Sequence, residues 1–159
     1  MAGKPVLLIT RRLTDAVQAR AARDYQVILN DADHVFSREE LLARCQDVDA
    51  VLPCHSEHFS ADVIADLGDR LRIIANHSVG VDHVDLEAAK KAGITVTNTP
   101  DVLSDATAEI AMLCMLGAAR RGAEGDAMVR AGKWDFWSPA FMVGRQVTGK
   151  RFGVLGMGR

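Results

Sequence analysis

The sequence predicts an open α/β fold built on a parallel sheet, and three observations predict it. Short apolar runs of four to six residues recur along the first hundred positions. Helical patterns fall between them, and glycine, proline or a capping residue marks most junctions. The first run, residues 5–10, is nearly all apolar instead of alternating, as suits a strand covered on both faces.

Residues 5–10, Pro-Val-Leu-Leu-Ile-Thr, form the first predicted strand. Leu13, Val17 and Ala21 then recur every fourth position, with Ala16 beside them, so residues 14–23 read as an amphipathic helix. Residues 25–29 are the second strand. Ser37-Arg38-Glu39-Glu40 matches a capping box, in which serine and glutamate each satisfy a helix-end amide. The helix it starts carries Leu41 and Leu42 toward a core. Residues 49–52 are the third strand, ended by Pro53.

Ser60 is the predicted cap of the next helix, with Val63, Ile64 and Leu67 inward and Gly68 as its stop. Residues 71–75 are the fourth strand. Asp85 caps a helix over 86–92, Gly93 ends it, and residues 94–97 are the fifth strand. Five strands separated by helices or loops make a parallel sheet of flavodoxin-like type, with right-handed crossovers.

Composition bounds the function. The 159 residues weigh 17.2 kDa, 48% hydrophobic and 25% charged, which excludes disordered and low-complexity chains. A net charge of −2 and a pI near 6.2 give no electrostatic footprint for nucleic acid or an anionic membrane. Cys45, Cys54 and Cys114 lack CxxC spacing and read as reduced thiols of a cytoplasmic protein. The apolar run near the N-terminus is too short for a secretory signal. Residues 106–119 would cover about 21 Å as a helix, short of a bilayer.

Pro100 is the best boundary. Beyond it Ser104 and Asp105 cap a long helix over 106–121 with only Thr107 and Glu109 polar among its first fourteen residues. Such a helix is expected to be buried between layers or domains, with Cys114, Met112 and Met115 in the core. Arg120 and Arg121 suit its C-terminal dipole. A shorter helix over 123–130 ends at Gly132. An aromatic-rich stretch follows, containing Trp134, Phe136, Trp137 and Phe141.

Residues 151–159, Arg-Phe-Gly-Val-Leu-Gly-Met-Gly-Arg, read as a strand running into Gly-x-Gly. In a Rossmann dinucleotide fold the first glycine makes the tight turn and the second admits a pyrophosphate to the backbone. The third glycine, the helix and the acidic residue about 20 positions later are absent from these residues. The motif alone is weak, and a glycine turn after an edge strand reads equally well.

Four motifs in order carry a resemblance. They are Asn76-His77-Ser78-Val79-Gly80-Val81-Asp82-His83-Val84-Asp85, Val96-Thr97-Asn98-Thr99-Pro100, Ala106-Thr107-Ala108-Glu109, and the stretch from Gly149 to Arg159. With them the chain resembles the N-terminal half of the D-isomer-specific 2-hydroxyacid dehydrogenases, nearest their glyoxylate/hydroxypyruvate reductase branch. The likeness covers essentially all 159 residues.

The resemblance implies a flavodoxin-like substrate-binding domain over 1–100. It implies an interdomain helix, dimerisation arm and truncated start of a Rossmann NAD(P)-binding domain over 101–159. Val79 and Gly80 match amides that bind the substrate carboxylate. Thr107 matches a position near the nicotinamide of NAD or NADP, and Gly156, Met157, Gly158 and Arg159 match the phosphate turn. Trp134-x-x-Trp137-x-Pro139 resembles an arm that places an aromatic in the partner subunit's active site, so Trp137 is a substrate-binding candidate. The family's arginine and histidine–glutamate pair have no counterpart here, so the chain alone is expected to be a truncated, inactive piece.

The expected activity is reduction of a small 2-keto acid, of glyoxylate or hydroxypyruvate type, with NAD(P)H; the full protein is expected to be a homodimer. The alternative is a non-enzymatic flavodoxin-like module whose helix over 106–121 binds a partner. Cys54-His55-x-x-His58 fits none of the usual zinc spacings. His77 and His83 flank the candidate substrate loop and read as surface or loop-packing residues.

Overall fold

In the computed structural model, which describes residues 3–158, the chain divides into two compact units, Met1–Pro100 and Asp101–Arg159. The first holds β1 (Val6–Ile9), α1 (Asp15–Asp24), β2 (Gln26–Leu29), α2 (Arg38–Cys45), β3 (Ala50–Leu52), α3 (Ala61–Ala65), β4 (Ile73–Ala75), α4 (Leu86–Lys91) and β5 (Thr95–Thr97). All strand pairs are parallel, in the order β2-β1-β3-β4-β5. That is the flavodoxin-like order predicted above.

Alternation along the strands divides the core between the two sheet faces. Leu8, Val51 and Ile74 point to one face and pack with Leu41, Cys45, Phe59, Val63, Ile64 and Ala89 from the helices and loops on that side. Leu7, Ile9 and Ala50 point to the other, where Leu13 and Ala21 partly cover them. Val17, expected inward with them, is exposed, and no residue of α1 is fully buried.

Local signals explain most helix ends. The Ser37–Glu40 capping box forms: Glu40 N–H donates to Ser37 Oγ at 3.2 Å and Ser37 N–H to Glu40 Oε2 at 3.0 Å. Asp85 Oδ1 accepts from Ala88 N–H at 2.9 Å, and Gly93 leaves α4 with φ +72°. Ser60 stands at the N-cap position of α3, but its hydroxyl donates to Asp62 Oδ1 at 2.6 Å instead of accepting from the backbone. Gly68 is needed for another reason: a Cβ there would lie 2.3 Å from Gln46 O, where the chain after α3 runs against the end of α2. Asp49 ties the N-terminal edge together, accepting from Val6 N–H and from both arms of Arg70.

The second unit holds α5 (Ser104–Ala119) and α6 (Gly122–Arg130). Two expectations fail here. Ser104 is helical, and the N-cap position falls on Leu103 without a side-chain cap. The long helix is also not buried: none of its residues is, with Ile110, Met112, Leu113, Cys114 and Leu116 exposed and Met115 half-buried. An all-round apolar pattern records that a helix demands covering; the described residues supply cover only in part, from α6.

The strand expected at 151–155 is also absent, and residues 151–158 form an exposed, non-repetitive segment. A strand is stable only when a neighbour pairs its backbone, and no strand lies against this segment among the described residues. No helix of the described residues is long and apolar enough to cross a membrane.

Candidate functional site

Parallel α/β sheets bind ligands beyond the C-terminal ends of their strands, so that edge is where a site should be sought. Thr10 follows β1, Pro53 and Cys54 follow β3, residues 76–80 follow β4, and Asn98 and Thr99 follow β5. Asn76 N–H donates to Thr97 O at 3.0 Å, extending the β4–β5 ladder by one residue before the loop departs. His77 N–H donates to Pro53 O at 2.8 Å, tying the same loop to β3.

Three consecutive carbonyls of that loop are then held. Thr99 N–H donates to Ser78 O at 3.0 Å. Asn98 Nδ2 donates to Val79 O at 2.9 Å. Gly80 O accepts from Asn76 Nδ2 at 2.8 Å and from Ser78 Oγ at 2.7 Å. In a trans peptide the N–H points opposite to the carbonyl of its own unit, and the chain contains no cis bond. Fixing Ser78 O therefore aims Val79 N–H, and fixing Val79 O aims Gly80 N–H, both away from residues 98 and 99.

Neither amide donates to an acceptor among the described residues. We call this pair of neighbouring, unpartnered N–H groups the nest, since backbone donors left free in this way are candidates for holding an anion. A Cβ at Gly80 would lie 3.2 Å from Asp82 Oδ2, a tight contact with that side chain.

Around the nest lie groups with distinct electrostatics. A cleft of about 360 Å³ is lined by His55, His58, Ser78, Gly80, Asp82 and His83. His83 is buried, with Nε2 3.0 Å from Asn76 Oδ1. Burial first, then the nearby His58 and His55, lowers its pKa below the ordinary histidine value. Cys54 Sγ lies 3.9 Å from His77 Nδ1, and burial, with Glu57 nearby, raises that thiol's pKa. Glu57 is itself buried and accepts from Thr10 Oγ1, Cys54 N–H and Ser56 Oγ, so it braces β1 against the loop after β3. Among the described residues no group of three metal-ligating side chains is placed to hold an ion.

The other candidates belong to the second unit. Thr107 stands in the first turn of α5, exposed, with its N–H on Leu103 O at 2.9 Å. Trp137 is 77% exposed. Gly156 and Gly158 adopt φ +79° and +50° with open space around each Cα, and Met157 between them is exposed. No helix N-terminus follows this segment among the described residues. Arg159 lies outside the described residues.

The anchors Asn76, Ser78, Asn98 and Thr99 were visible in the sequence only as parts of motifs. Their type carried a signal, because polar side chains clustered just past two strands are candidates for holding loop backbone.

The sheet order defines a flavodoxin-like α/β unit, and the unpartnered amides of Val79 and Gly80 lie at the carboxyl edge of its sheet. The sequence profile of the D-isomer specific 2-hydroxyacid dehydrogenase catalytic domain matches residues 7–148, and the chain belongs to that family. It is 41% identical over 160 residues to a glyoxylate reductase of Thermococcus onnurineus, covering 98% of this chain and 48% of the relative. It is 39% identical over 155 residues to a glycerate dehydrogenase of Hyphomicrobium methylovorum, with the same coverage of both.

A Polaromonas sp. JS6 66 structure, described as an NAD-binding D-isomer specific 2-hydroxyacid dehydrogenase, superposes with a TM-score of 0.92 at 41% identity. The match covers 98% of this chain and 49% of that one. An NADPH-dependent glyoxylate/hydroxypyruvate reductase of Sinorhizobium meliloti, in complex with NADP and malonate, gives 0.73 at 25% identity, covering 98% and 47%. The chain thus spans about half the length of the curated relatives it matches.

Proposed function

We propose that these residues form the acid-binding half of a reductase that converts a small 2-keto acid, of glyoxylate or hydroxypyruvate type, to the D-2-hydroxy acid with NADH or NADPH. The observation that carries this reading is the pair of aimed, unpartnered amides at Val79 and Gly80. A carboxylate seated on both would accept one hydrogen bond on each oxygen, fixing the plane of the acid and so the direction of the neighbouring keto carbonyl. A bound nicotinamide supplies the hydride in such chemistry. We assign Thr107 to the nicotinamide end of that cofactor and Gly156, Met157, Gly158 and Arg159 to its phosphates. Trp137, in the aromatic arm, is assigned to the substrate end of a homodimer partner, and the three free thiols suit a cytoplasmic enzyme.

The nest is modest by itself. Hydrogen bonds to a charged group contribute about 1.5–3 kcal/mol each. The two together contribute about 3–6 kcal/mol, and the freedom lost on association offsets part of it, so binding is weak, about millimolar at the tightest. No lysine or arginine among the described residues hydrogen-bonds to this loop, so its two amides are the donors this chain offers there. The test is a pair of measurements on the 159-residue chain. It should bind oxalate, an unreactive analogue of the keto-acid end, with shifts at Val79 and Gly80, yet oxidise no NADH when given glyoxylate. Oxalate binding that leaves both amides unmoved would refute the assignment.

A further inference from the structure

We propose that His83 is a positioning residue for the acid-binding loop, acting through Asn76 by donating its Nε2–H to the Asn76 carbonyl oxygen. This rests on the acid-binding reading of Val79 and Gly80. The geometry assigns the proton in three steps. Gly80 O can only accept, so the group of Asn76 that meets it at 2.8 Å is the amide nitrogen. That nitrogen also reaches Ser78 Oγ at 2.7 Å, which uses both of its hydrogens. The remaining oxygen, Asn76 Oδ1, can only accept, so His83 Nε2 at 3.0 Å must carry a hydrogen.

The arrangement is built to be rigid. Asn76 is 2% exposed and His83 9%. The backbone of His83 is clamped by Phe59 N–H donating to His83 O at 2.7 Å, and the next residues by Asp85 N–H donating to Phe59 O at 2.8 Å. Phe59 is wholly buried in the core. The ring therefore stands on a fixed platform and holds one end of the Asn76 amide, whose other end holds Gly80 O. The second carbonyl anchor, Asn98, acts on Val79 O from the loop after β5 and is independent of His83.

Without the imidazole, Asn76 Oδ1 is left buried with no donor, and the amide is free to rotate or recruit water, which releases Gly80 O. The Gly80–Val81 peptide unit then keeps only its Ser78 Oγ contact, and the nest loses the support on its C-terminal side while Ser78 O and Val79 O keep their own anchors. A glutamine at the same position carries an amide that can donate in place of Nε2–H.

The experiment uses the 159-residue chain with oxalate as the probe, in the parent, His83→Ala and His83→Gln. Imidazole nitrogen resonances of the parent report the tautomer without any ligand. We expect hydrogen on Nε2 with Nδ1 bare above neutral pH. We expect oxalate affinity to fall roughly tenfold in His83→Ala, the effect of one lost hydrogen bond, and to return to within about threefold of the parent in His83→Gln. A neutral ring carrying its hydrogen on Nδ1, or His83→Ala binding oxalate like the parent, overturns the inference alone. A parent that shows no oxalate response overturns the acid-binding reading and this inference with it.

Discussion

Replacing Asn98 by alanine removes one hydrogen bond, Nδ2 to Val79 O at 2.9 Å, from an exposed side chain outside the hydrophobic core. Its effect should therefore appear in ligand binding more than in folding. Freed of that anchor, the Val79–Gly80 peptide can turn, and Gly80 N–H loses its fixed aim. A net hydrogen bond is worth about 0.5–1.5 kcal/mol, so acid affinity should fall by roughly three- to tenfold.

The readout is the ligand-dependent gain in melting temperature. If oxalate binds with a Kd of about 5 mM, then about 50 mM stabilises the parent by roughly 1.4 kcal/mol. A variant about tenfold weaker gains roughly 0.4 kcal/mol. For a domain of about a hundred residues the difference is about 4–8 °C. Chloride at matched ionic strength is the control. Asn98→Asp should lose more than Asn98→Ala, because a carboxylate cannot donate to Val79 O and repels both that oxygen and the ligand. Equal oxalate-dependent gains in parent and Asn98→Ala would refute the account of how the nest is aimed.

Further predictions concern the frame that carries the loop. Arg70, then the Val6 amide, hold the Asp49 carboxyl at about 2, below its ordinary 3.8. Its folded pKa is thus depressed, so its contribution to stability is present above pH 3.8 and is lost as pH falls toward 2. Asp49→Asn should flatten the melting temperature over that acid window and change its slope little above it. Ser37→Ala removes half of a formed capping box and should cost about 1 kcal/mol in urea unfolding. Gly68→Ala forces a Cβ to within 2.3 Å of a backbone oxygen, and should destabilise by about 1–3 kcal/mol in the same assay.

The first unit was legible because its signals are local. A run such as Val6 to Ile9, apolar on both faces, has few stable places outside a covered sheet, and the capping box at Ser37 is written in four adjacent residues. Strand ends were harder to place. Thr10 and Asn76 are polar, yet they are buried at the sheet's edge because Glu57 and His83 satisfy them.

The second unit was less legible because its apolar pattern says that α5 needs a cover but not what the cover is. Likewise, the pattern at 151–155 cannot supply the neighbour that a strand must pair with.

Val79 and Gly80 were reached through resemblance, from motif order. What aims them was not legible, because the anchors Asn98 and Thr99 stand about twenty residues away and meet the loop only once β4 and β5 pair. Composition cannot show that register.

The most direct test of the central claim is a proton–nitrogen correlation spectrum of the 159-residue chain titrated with oxalate. Val79 and Gly80 should show the largest downfield amide-proton shifts. Both should saturate together, with a Kd of about millimolar or weaker. Oxalate shifts centred elsewhere, on the histidine side chains or Arg11 for instance, with Val79 and Gly80 unmoved, would contradict it.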